Sequence, residues 1–193
     1  FGTHNRLLRL GGAVDAYLEI IAIDPAANPA RTPPLRRWFD LDDPALQHAL
    51  QTDGPQLVHW VGRVPDIGAA VATWADAGWD RGPVLQASRP TPEGLLSWRI
   101  TVRDDGQRLA GGALPTLIEW GDRHPARSLP DSDLSIRHVR VGGLQGPAVA
   151  DALQGLGMAG GWQLDADAES PVLSAVIDTP RGTLVLTHPA SRR

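Results

Sequence analysis

An internal repeat constrains this chain more than any other feature. Displaced by 79 positions without a gap, Leu57 falls on Ile136, His59 on His138, Trp74 on Leu153, Gly78 on Gly157 and Trp79 on Met158. Identities are few, yet in both copies a β-forming run leads into a helix-periodic segment that a glycine ends. Self-similarity at a fixed spacing implies one supersecondary unit used more than once around a shared core. In the first copy Gln56–Val61 reads as a strand and Asp66 as a helix N-cap. Ile67, Ala70, Val71, Trp74 and Ala75 then fall at i, i+3, i+4, i+7 and i+8, giving a helix over 66–77 that stops at Gly78. In the second copy a strand at Leu134–Val141 precedes a helix over 147–156 with Val149, Leu153 and Leu156 on one side.

Strands follow each helix. The first copy continues with β-forming runs at Pro83–Ala87, Leu95–Val102 and Thr116–Trp120; the second continues with Val172–Ile177 and Thr183–Thr187. The opening segment, Thr3–Leu10 and Ala16–Ile23 around Gly11-Gly12, reads as a hairpin. It matches the closing strands of the same unit, with Leu18-Glu19-Ile20 standing where Ile118-Glu119-Trp120 stands later. The expected organisation is one α+β domain of repeated βαβββ units. Residues 1–24 form the end of a first unit truncated at its N-terminus, and 25–54 a linker. That linker has Pro at 25, 29, 33 and 34 and a short helix opened by Asp43-Pro44. Residues 55–122 make a complete unit and 134–188 a shorter third one.

Composition narrows the chemistry. All 18 basic residues are Arg, a bias of GC-rich bacterial genomes that also removes lysine nucleophiles; there is no Cys, so disulfides, thiolate catalysis and cysteine metal sites are excluded. A net charge of −4 argues against nucleic acid and anionic membranes as partners. No apolar run is long enough to span a bilayer and no charged-plus-apolar leader opens the sequence, so the expected location is the cytoplasm. Because the chain opens on Phe1 inside a repeat unit, the native product is expected to extend upstream, or a partner to supply the missing strand. The Gly-Gly pairs are turns rather than phosphate loops, and no nucleophile elbow occurs.

Three side chains stand out: Glu19, His59 and Glu119 each interrupt an aliphatic strand. Alternation places Glu19 with Tyr17 and Ile21, His59 with Leu57 and Val61, and Glu119 with Leu117. Burying such groups is costly unless they are paired or metal-bound. Carboxylates plus an imidazole suit a divalent first-row ion, while solvated glutamates and a hydrogen-bonded core histidine read equally from spacing alone. Trp60, Trp74 and Trp120 read as packing residues or as an aromatic wall.

The segments Tyr17-Leu18-Glu19-Ile20-Ile21, Leu57-Val58-His59-Trp60-Val61 and Leu117-Ile118-Glu119-Trp120 resemble the glyoxalase/bleomycin-resistance/extradiol-dioxygenase (vicinal oxygen chelate) superfamily. Within it, Thr3–Leu8, Leu41-Asp42-Asp43-Pro44 and Leu114–Trp120 are similar to the glyoxalase-like domain family. The resemblance implies curved mixed sheets enclosing a cavity, with the helices on the outer faces. It further implies a divalent metal (Zn, Ni, Fe, Mn or Co) held by Glu19, His59 and Glu119, the fourth ligand belonging to the strand this chain lacks. Glu119 or Glu19 would then move a proton on a small oxygenated substrate that Asn5, Tyr17 and Arg99 help to hold, as in a lyase, isomerase or dioxygenase. The alternative is a metal-free protein of the same fold that binds or sequesters a small molecule. Either is compatible with a homodimer. His138 aligns with His59, but Leu186 stands where a glutamate would be, so the third unit is expected to serve packing.

Overall fold

The computed structural model describes residues 1–27, 35–158 and 160–188. Pro29, Pro33 and Pro34 of the proline-rich connection lie outside the described residues. The element order is β1 (Thr3–Leu10), β2 (Ala16–Ile23), α1 (Pro44–Asp53), β3 (Val61–Arg63), α2 (Ile67–Asp76), β4 (Val84–Thr91), β5 (Gly94–Thr101) and β6 (Thr116–Trp120). Then come β7 (Ser135–Gly142), α3 (Gly146–Gly155), β8 (Trp162–Asp165), β9 (Val172–Thr179) and β10 (Gly182–Thr187). The caps follow the sequence. Asp43 accepts from the Ala45 and Leu46 N–H groups at α1, and Asp66 from Gly68 and Ala69 at α2. No described helix is long and apolar enough to cross a membrane.

The two segments aligned in the sequence are most alike at their helix ends. Gly78 and Gly157 both adopt positive φ, and the next residue folds back in each copy: Trp79 N–H donates to the Trp74 carbonyl at 2.8 Å, and Met158 N–H to Leu153 at 3.0 Å. Both are the six-to-one bonds that close a helix at a left-handed residue. The third unit is also fuller than its sequence suggests, because Trp162–Asp165 supplies β8. What does not recur is the strand order. One sheet runs β3-β6-β5-β4, with the strands flanking the helix at opposite edges; the other runs β10-β9-β7-β8, with β7 and β8 adjacent and parallel. The first strand of the complete unit is shorter than the run 56–61 and shifted, its pairing with β6 beginning only at Val61.

Two apolar clusters lie on opposite faces of the β3-β6-β5-β4 sheet. On one face Leu117 packs with Ile67 and Trp74 of α2 and, beyond them, Leu153 of α3 and Leu173 of β9; each of the five is at most 2% exposed. The helices meet directly, the Trp74 indole donating to the Ala152 carbonyl at 2.8 Å. On the other face Ile100, Val102 and Ile118 are covered by Phe1, Trp38, Leu85, Trp98 and Trp120. The β1–β2 hairpin is tied to the third unit through reciprocal bonds, Gly11 N–H to Leu134 O and Ile136 N–H to Gly11 O. Gly12 allows this approach: it sits at φ +79°, and a Cβ there would lie 2.4 Å from the Ile136 oxygen. The hairpin tip is clamped by Asp15, which pairs with Arg63 at 3.0 Å and Arg127 at 2.7 Å.

Two predictions follow from these contacts. Trp74→Ala should cost about 3–5 kcal/mol in urea unfolding, as for other buried aromatics cut to alanine; a loss below about 1 kcal/mol would deny that the two helices share one core. Hydrogen bonds from Arg127, and then Arg63, lower the Asp15 pKa from 3.8 to about 2. A depressed carboxyl stabilises the fold above its unfolded pKa, and that stabilisation is lost as pH falls through the folded value. Asp15→Asn should therefore flatten the acid limb of the stability curve between about pH 4 and 2, and an unchanged limb would contradict the clamp.

Candidate functional site

Side-chain alternation along β6 decides what each candidate residue can reach. Leu117 and Glu119 share the face covered by α2, whereas Ile118 and Trp120 share the opposite face. Glu119 accordingly serves the helix. Its Oε2 accepts from the Ile67 N–H at 2.7 Å, in the first turn of α2, and its Oε1 accepts from Arg99 Nη1 at 3.1 Å. Together with the Asp66 cap it satisfies the first N–H groups of α2, which have no partner inside the helix. Arg99, placed opposite Glu119 in the register, is thus committed to an ion pair on the helix face rather than to a ligand.

His59 lies elsewhere. Val61 pairs with Thr116 and Arg63 with Ile118, so Glu119 is level with Val64, five positions beyond His59. The His59 ring itself meets Thr116, three positions before Glu119 on β6, which at ~3.3 Å per residue is roughly 10 Å along the strand. His59 Nε2 accepts from the Thr116 N–H at 3.1 Å, with the Thr116 hydroxyl also at 3.1 Å, so the nitrogen lone pair is taken. The Thr116 hydroxyl also accepts from Arg81, which is only 3% exposed. Burial, and then the charges of Arg81 and Arg108, hold the imidazole well below its ordinary pKa, so it is neutral. Among the described residues, no group of three or more His, Cys, Asp or Glu side chains is placed to hold a metal ion. Glu19, His59 and Glu119 therefore do not fit one shared ion. The sequence reading found the period of β6 but could not tell which face the helix would cover.

The structure does gather a different set of residues. Leu7 and Glu19 are paired across β1 and β2, so they share one hairpin face, with Asn5 and Tyr17 on the same side. Asn5 Nδ2 donates to Glu19 Oε1 at 2.6 Å. Burial raises the Glu19 pKa against the opposing pull of Asn5 and Arg89, and burial followed by the Glu19 charge raises that of Tyr17. This face meets the side of the β3-β6-β5-β4 sheet that carries Arg89, Leu96, Trp98 and Trp120. The Tyr17 ring lies 5.8 Å from His124, which stands edge-on to Trp120 at 5.1 Å; Trp120 in turn lies 5.6 Å from Trp98.

Two cavities adjoin here, of about 340 and 260 Å³. The larger is lined by Arg63, Glu119 and Trp120 among others, the smaller by Leu7, Arg89, Leu96 and Leu129; they share Asp122, Arg123, His124 and Arg127. Glu119 therefore borders the site, but its oxygens are already engaged. His124, only 7% exposed, has its pKa lowered to about 4, chiefly by burial. Arg89, Trp98, Arg123 and His124 had escaped the sequence reading. Trp98 had a signal, since it alternates with Ile100 on the strand opposite Trp120. His124 had none, because it belongs to a loop without periodicity.

Comparison with known proteins supplies the family context. Residues 1–157 match a sequence profile described as a glyoxalase-like domain. Among solved structures, that of a hypothetical protein from Staphylococcus aureus is 14% identical over 97% of this chain and 72% of that chain, with a TM-score of 0.49. No curated protein matches. The placement of Glu119 is directly testable. Removing a carboxylate that accepts both a first-turn N–H and a guanidinium should cost about 1–3 kcal/mol, so Glu119→Ala should lower stability in urea by that amount. Glu119→Gln, which keeps an acceptor for Ile67, should recover part of it; a neutral Glu119→Ala would remove the helix-start role.

Proposed function

The chain belongs to the glyoxalase-like domain family, and we propose that it acts as a small-molecule-binding domain whose ligand lies between the β1–β2 hairpin and the tryptophan face of the β3-β6-β5-β4 sheet. The observation that carries this reading is the pair of adjoining cavities with a buried histidine in their common wall, flanked by Tyr17 and Trp120. A concave site of this size, apolar on one side and furnished with a few convergent polar groups, is the usual form of a small-molecule pocket. Fold membership alone does not fix the activity, because sites of different chemistry are built on one scaffold.

The roles follow from placement. Trp120, backed by Trp98, offers the flat apolar surface, while Glu19, restrained by Asn5, stands across the hairpin from the cavity-lining Leu7 as a carboxyl that burial holds toward its neutral form. Tyr17 adds a hydroxyl beside it. Binding by this set needs no ion shared by Glu19, His59 and Glu119, so the reading favours metal-free recognition over metal-dependent turnover. Calorimetric titration with 2-naphthamide, a neutral aromatic amide, tests it. Saturable one-site binding should persist in excess chelator and in His59→Ala, and should weaken at least about tenfold in Trp120→Leu. Binding that vanishes with chelator and returns with added zinc or manganese, or that ignores Trp120→Leu, would overturn the proposal.

A further inference from the structure

The tautomer of His124 specifies more about the ligand. His124 precedes a single 3-10 turn, Pro125–Arg127, and its Nδ1 accepts the Ala126 N–H at 3.2 Å. A backbone N–H can only donate, so Nδ1 carries the lone pair and the proton of the neutral ring must sit on Nε2. Among the described residues nothing accepts from Nε2. The residue is only 7% exposed and lines both cavities, yet Nε2 itself is not fully enclosed, so its N–H reaches accessible space. A ligand acceptor in that space can take the hydrogen bond it offers.

The charges around this donor limit what can accept. Of the four arginines lining the two cavities, Arg63 and Arg127 are paired with Asp15, and Arg89 is opposed by the Glu19 charge. Arg123 lines both cavities and has neither an ion pair nor a hydrogen bond among the described residues. Asp122 shares the same wall and would repel a second negative charge. One guanidinium and one neutral N–H beside a carboxylate match a monoanion better than a phosphate dianion. The smaller cavity runs away from this point with Leu7, Leu96, Pro125 and Leu129 in its wall beside Arg89 and Glu93, and its apolar part suits an apolar body.

We propose that the site takes an amphiphilic monocarboxylate, its carboxylate held by the His124 Nε2–H and the Arg123 guanidinium and its apolar body in the smaller cavity. This rests on the reading of the two cavities as a small-molecule site. Calorimetry comparing 2-naphthoate with 2-naphthamide separates the two ideas, since the pair differs only in the charged group. The folded wild-type protein should bind the acid at least tenfold more tightly than the amide. Arg123→Gln should abolish most of that preference, read as the ratio of acid to amide affinity within the variant. His124→Asn should lower the same ratio, because asparagine keeps an acceptor for the Ala126 N–H but loses the donor at the Nε2 position. Equal affinity for acid and amide, or a preference that survives both variants, would overturn the carboxylate assignment alone. Binding of neither compound would overturn the small-molecule site as well.

Discussion

The two-residue period of β6 is the constraint on which the remaining architecture depends. Leu117 and Glu119 must point one way and Ile118 and Trp120 the other, and the burial of Leu117 against α2 fixes which way is which. Once Trp74 ties α2 to α3 through the Ala152 carbonyl, the helix face of the sheet is closed and its other face is left to the hairpin. Glu119 then starts a helix, while Trp120, one residue further, becomes a wall of the site. A one-residue slip of β6 would exchange these roles.

The opposite face is organised at its two ends by polar groups of different character. At one end His59, Thr116 and Arg81 form a buried chain that pins the segment before β3 to β6, reinforced where Arg108 bonds the Val58 carbonyl and Asp40 at 2.8 Å each. Its groups are mostly turned inward and serve cohesion. At the other end His124 borders open volume, with Tyr17 beside it and Glu19 across the hairpin from the cavity-lining Leu7, held there because Asp15 clamps the hairpin tip to Arg63 and Arg127. Burial shifts titration at both ends, and at the second end His124 stands in the wall of two cavities.

Much of the local structure was legible in the sequence. Asp43 and Asp66 are caps, the apolar spacing from Ile67 to Trp74 is the buried face of α2, and Gly78 and Gly157 close their helices as the repeat implies. The opening hairpin and the closing Thr-Leu-aliphatic strands are where the pattern places them. The strand order was not legible, because the same succession of elements admits both β3-β6-β5-β4 and β10-β9-β7-β8, and only long-range pairing chooses between them. Site residues were legible only in part. Asn5, Tyr17 and Glu19 do lie together on one hairpin face, whereas Glu119, Arg99 and His59 are titratable interruptions of apolar runs that answer to capping, ion pairing and cohesion. Residue type cannot separate those causes; the partner across the sheet does.

The account places ligand recognition at Trp98, Trp120 and His124 and assigns Trp60 and Trp74 to the framework, where their indoles donate to Ala113 and Ala152 at 2.9 and 2.8 Å. Nuclear magnetic resonance of the indole N–H signals during titration with 2-naphthoate distinguishes these populations in one experiment. The account predicts shifts that saturate together for Trp98 and Trp120 and an unmoved pair for Trp60 and Trp74. Shifts confined to Trp60, the neighbour of His59, with Trp98 and Trp120 unmoved, would contradict it.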